Sequence, residues 1–142
     1  MKIIQSSGTG VAGNVTTSIV VPENEIRTPM YGQVILTTDA TVASRRAIIR
    51  VINESSVNIF DSHSGAVVTA STADQHHEFM QGIFRETTFI GNAIQVPIPN
   101  NFVIPPGFSL QFLIENGVAG DSYSYYMTTK VEDVVKGSVL VE

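Results

Sequence analysis

The chain has 142 residues, is 43% hydrophobic and 15% charged, and carries a net charge of −5. That length fits one domain with a self-sufficient core, and the apolar content is too high for a disordered chain. The basic residues are scattered and only Arg45, Arg46 and Arg50 approach a cluster, which argues against a nucleic-acid partner; the absence of cysteine excludes disulfides and thiolate chemistry.

From the N-terminus, residues 1–14 are rich in Ser and Gly and are expected to form a flexible arm. They lack the apolar run of about 7–15 residues that a signal peptide needs. Nowhere does the chain reach the roughly 20 apolar residues of a bilayer span, so no membrane role is expected. The arm spells G-x-G-x-x-G between Gly8 and Gly13. A dinucleotide fingerprint requires a strand before it and a helix after it. Neither is expected here, so the match carries no nucleotide site.

"VTTSIVV" (15–21) reads as a strand stopped by Pro22. After Pro29, Tyr31, Gln33, Ile35 and Thr37 alternate with Gly32, Val34, Leu36 and Thr38, the period of two of a strand. "LTTDATVASRR" (36–46) then concentrates charge, and two readings compete for it. A catalytic constellation would use Asp39 and the arginines. A structural corner would use Thr38, Asp39 and Thr41 to bond nearby backbone, and would pin the turn with Arg45 or Arg46. The two arginines fall on opposite faces of the next strand, so one at most reaches Asp39. The corner is the favoured reading. In "RRAIIRVIN", Arg45, Ala47, Ile49 and Val51 form the face expected to look inward.

"VNIFDS" reads as the return arm of a hairpin and "HSGAVVTAS" as a turn and a further short strand. Gly82 suggests a bulge after "HHEFMQ", and the prolines of "NAIQVPIP" confine it to an edge or a strand end. Pro106-Gly107 presets a tight turn before the alternating "FSLQFLIEN". "YSYYMTTKVEDV" is the last strong strand. There Tyr123 and Tyr125 share one face and Tyr126 takes the other, either as an interaction surface for sugar or protein or as core packing. Residues 136–142 read as a C-terminal arm or a final edge strand. The fold expected is therefore all-β, an eight-stranded jelly-roll-like sandwich over 15–135, with an immunoglobulin-like sandwich as competitor.

Chemistry is sparse. His76 and His77 are adjacent and point to opposite faces of a strand, His63 sits in a polar turn, and no chelating spacing occurs; no metal or cofactor is expected. The carboxylates Glu132 and Asp133 are likewise adjacent. No nucleophile elbow is present. An enzyme is the least supported class.

The run from Leu36 resembles a motif of small structural proteins of tailed bacteriophages, "LTTDATVANR" followed by an alternating strand, with Ser44 here in place of the Asn. "VNIFDSHSGAVVTAS" and "VIPPGFSLQF" resemble the segments that follow it, in the same order, over roughly Tyr31 to Val134. The resemblance implies a virion component, a capsid cement or decoration protein made in the host cytoplasm and placed on the capsid exterior. It would bind the major capsid protein and itself, as a homotrimer. The alternatives are a carbohydrate- or receptor-binding module of a tail or head fibre, and a head–tail connector or tail subunit.

Overall fold

The computed structural model describes residues 2–11 and 16–134. Their strands are β1 (Lys2–Val11), β2 (Thr17–Val20), β3 (Glu25–Thr37), β4 (Arg46–Ile52), β5 (Asn58–His63), β6 (Gln75–Gln81), β7 (Ala93–Ile98), β8 (Ser109–Glu115) and β9 (Ser122–Asp133). They form a β-sandwich of one five-stranded sheet, β1-β9-β3-β6-β7, and one four-stranded sheet, β2-β8-β4-β5. The pairing is nested like a rolled ribbon, with β3 against β9 in one sheet and β4 against β8 in the other. All pairs are antiparallel except β6 and β7.

Alternation decides which residues enter the core. Val34, Leu36, Phe79, Ile94, Val96 and Met127 face inward from the larger sheet; Ala47, Ile49, Val51, Leu110, Phe112 and Ile114 meet them from the smaller one. Each of the larger side chains contributes about 1.5–3 kcal/mol by leaving water. β7 lies at a sheet edge, where Pro97 forfeits no ladder bond to an outer neighbour. Ser62 on β5 donates its hydroxyl to the Pro97 carbonyl at 2.8 Å, joining the sheets at that side. Gly107, at φ +82°, takes the left-handed position of the turn into β8, closed by the Phe108 amide donating to the Pro105 carbonyl at 3.3 Å.

Two expectations are corrected. The arm expected over 1–14 is a strand at Lys2–Val11, paired with β9 from Lys2↔Val131 to Val11↔Ser122. Its apolar pattern is hidden because Gly8 and Gly10 stand opposite Tyr125 and Tyr123, whose rings fill the space a Cβ would take. Aromatic rings laid over cross-strand glycines supply the missing cover. With β1 the described residues form nine strands, where eight were expected. The short strand expected in "HSGAVVTAS" is reduced to a single bridge between Val68 and Arg45. The arm or edge strand expected at 136–142 lies outside the described residues.

Candidate functional site

The "LTTDATVASRR" segment turns the chain from β3 into β4, and its charges turn inward. Arg45 is fully buried and donates from every guanidinium nitrogen: Nε to Asp121 Oδ2 at 2.9 Å, Nη2 to Asp121 Oδ1 at 3.0 Å and to Asp39 Oδ1 at 3.1 Å, and Nη1 to the Ala43 carbonyl at 3.2 Å. Asp121 also accepts from the amides of Asp39 and Val118, at 2.9 and 3.0 Å. Burial alone pushes the Asp121 carboxyl upward, but the Arg45 bond and the two amides outweigh it and hold the group below the usual carboxylate value.

Thr38 completes the corner. Its hydroxyl donates to the Thr69 carbonyl at 2.6 Å and accepts from the Thr72 amide at 2.9 Å. Thr41 contributes its backbone amide, bonded to Asp39 Oδ1 at 2.9 Å. Gly120 lies so close to Asp39 that a Cβ there would overlap the carboxylate. Arg46, included in the expected corner, does not belong to it. It points to the outer face opposite Glu115, because successive strand residues alternate. Sequence reasoning does not single out Asp121, whose partner is 76 positions away.

The histidines are dispersed. His63 contacts the Ser64 carbonyl at 2.9 Å, His76 lies on the outer face of β6, and His77 is buried with Nδ1 at 3.2 Å from the Val34 carbonyl. Burial lowers the His77 pKa to about 4. Glu132 pairs with Lys130 at 3.1 Å. Among the described residues no group of three His, Asp or Glu could hold a metal ion.

The expected tyrosine surface divides. Tyr123 is buried, its hydroxyl 2.7 Å from the Thr17 hydroxyl, and Tyr125 stacks on Phe112 at 5.1 Å; both serve the core, so neither forms an exposed pair. Tyr126 faces outward and meets Tyr31, which sequence reasoning did not single out, edge to face at 6.3 Å and 64°. Burial, then the Glu78 and Tyr126 charges, raise the Tyr31 phenol above its usual value.

Register continues this pair into cross-strand rows on the outer face of the larger sheet. One row runs Ser7, Tyr126, Gln33, Glu78, Gln95; the next runs Gln5, Thr128, Tyr31, Met80, Pro97. A third runs Thr9, Ser124, Ile35, His76, Ala93. The outer face of the smaller sheet differs in composition: Ile48 beside Leu113, flanked by Arg46, Arg50, Asp61 and Glu115. No protein-family model, no curated protein and no solved structure matches the chain.

Proposed function

We propose that the chain is a non-enzymatic structural protein of a tailed-bacteriophage virion, a cement protein that binds the major capsid protein on the outside of the shell as a homotrimer and stiffens the lattice. The observation that carries this reading is that segments bearing the phage resemblance are neighbours in space. Thr38 bonds Thr69 and Thr72, and Arg45 pairs by backbone with Val68, so "LTTDATVASRR" and "VVTAS" interlock. The resemblance thus marks a rigid frame. The charges that could have suggested catalysis are consumed in it, since Arg45 is enclosed by Asp39 and Asp121.

The outer face of the smaller sheet suits the capsid contact. Ile48 and Leu113 lie at its centre, charged residues border them, and Val20 and Ile59 are 60% and 52% exposed at the margins. An apolar centre with a polar rim is the usual anatomy of a protein interface. The test is pelleting of the purified chain with capsids assembled without it. Binding is expected, and Ile48→Glu combined with Leu113→Glu is expected to weaken it by at least ~10-fold. A chain that stays in the supernatant at saturation refutes the reading, and binding only to the portal vertex transfers it to a connector. Sedimentation giving a monomer refutes the trimer.

A further inference from the structure

We propose that the outer face of the five-stranded sheet is a binding site for a neutral oligosaccharide lying across its strands. This is a second activity, independent of the capsid contact on the opposite sheet. Three features carry it. First, the Tyr31–Tyr126 pair sets one ring face beside the other ring's edge, an apolar surface with two hydroxyls at its border. Secondly, the rows through and beside that pair mix side-chain amides and hydroxyls with the apolar Ile35, Met80, Ala93 and Pro97 and with His76; Glu78 is their one carboxylate, and neither Lys nor Arg occurs in them.

Thirdly, the same face ends in a hollow of about 520 Å³, lined by Thr9, Thr37, Ser122 and Ser124, with Ile35 and Asp74 beside them. That volume lies within the range of roughly 300–1,000 Å³ typical of small-molecule sites. The Asp74 amide is held by the Thr37 hydroxyl at 3.2 Å, and its residue sits at φ +52°.

This chemistry selects among ligand classes. Neither Lys nor Arg occurs in the rows or lines the hollow, Lys130 one row further on is paired with Glu132, and Asp74 and Glu78 repel anions, so phosphate, sulfate and nucleic acid find little counter-charge beyond His76. A sugar presents vicinal hydroxyls, donors and acceptors at once, which amides and hydroxyls match, and an apolar C–H face that a tyrosine ring covers. A protein partner draws on larger apolar anchors. The most exposed ones lie elsewhere, on the loops at Phe84, Val42 and Ile90.

The experiment titrates the full chain with maltohexaose, cellohexaose and the hexamer of N-acetylglucosamine, read by amide NMR shifts and by tyrosine emission. The latter is clean because the chain has four tyrosines and no tryptophan. At least one sugar is expected to shift β3, β6 and β9 with a Kd between roughly 10 μM and 1 mM. Tyr126→Ala and Tyr31→Ala should each weaken it at least ~10-fold, Asp74→Asn a few-fold, and Phe84→Ala not at all. Ser124→Arg, which fills the hollow without removing a ring, should also block binding if either tyrosine variant fails to fold. No shift with any of the three sugars up to about 5 mM overturns the proposal. So does binding indifferent to the tyrosine and Ser124 variants. Shifts of these rows that grow with protein concentration alone also overturn it, and assign the face to a second copy. Capsid pelleting of Ser124→Arg should match the unaltered chain, so failure of either reading leaves the other standing.

Discussion

Arg45 and His77 are both fully buried, and the fold treats them in opposite ways. Arg45 keeps its charge because each nitrogen finds an acceptor, two of them on a carboxylate that is itself buried. His77 is left incomplete: Nδ1 donates to the Val34 carbonyl, while Nε2 is buried without a partner and the ring sits edge-on to Phe89 at 5.5 Å. A buried charge is tolerated when its hydrogen bonds are complete; otherwise the group discharges. His77 is therefore neutral at physiological pH, with the proton on Nδ1. Among the described residues, then, a charged network that is satisfied lies in the same interior as a titratable ring that is stable only while uncharged.

Breaking the satisfied side should have the largest effect. Arg45→Ala or Asp121→Ala strands a buried charge and is expected to destabilise the fold by about 3–5 kcal/mol, measured by denaturant unfolding. If either variant unfolds at the midpoint of the unaltered chain, the network is not a structural centre. Arg45→Lys, which keeps the charge but not the planar fork, should recover only part of the loss.

The next effect is the pH response of His77. Its folded value of about 4 is below the ordinary 6.5, so between these limits the unfolded chain binds the extra proton. Stability should therefore fall as pH drops from about 6.5 to about 4, by about 3 kcal/mol in all. His77→Leu should flatten the profile in that window. Asp121 acts in a lower one: its depressed folded value makes its contribution complete above the ordinary 3.8, and that contribution is lost as pH falls through the folded value. A His77→Leu protein still losing stability between pH 6.5 and 4 would contradict this division.

The smallest effects belong to the rim of the corner. Asp39 is about a third exposed, so Asp39→Ala should cost only about 1 kcal/mol. Gly120→Ala displaces the same carboxylate and should cost a comparable amount. The double variant should fall well short of the sum, because both remove one interaction. Strict additivity would show that Gly120 serves something other than the Asp39 contact.

How far these features could be read in the sequence depends on range. The inward face of Arg45, Ala47, Ile49 and Val51 follows from local alternation, as do the edge position of the proline-bearing β7 and the Pro106-Gly107 turn. Asp39 as an acceptor for one of the two adjacent arginines follows from their nearness along the chain. The second acceptor, Asp121, does not, because nothing local distinguishes it from a solvated loop acid. The strand at Lys2–Val11 was hidden for a related reason: its glycines are explained only by tyrosines at the far end of the chain. The inward turn of Tyr123 and Tyr125 follows from the same pairing, and the outward Tyr126 joined Tyr31 only once β3 and β9 were known to be neighbours.

The nesting of first strands with last ones also sets a timetable for a growing chain. Arg45 is synthesised 76 positions before Asp121, which at ribosomal speeds is a delay of about 4–15 s. Through that interval the guanidinium has only Asp39 and local carbonyls, and β3 and β4 lack β9 and β8. β1, made first, waits longest, since β9 supplies its ladder. The sandwich therefore closes only when nearly all of it has been made, and contacts this distant in sequence predict slow folding for a domain of this size.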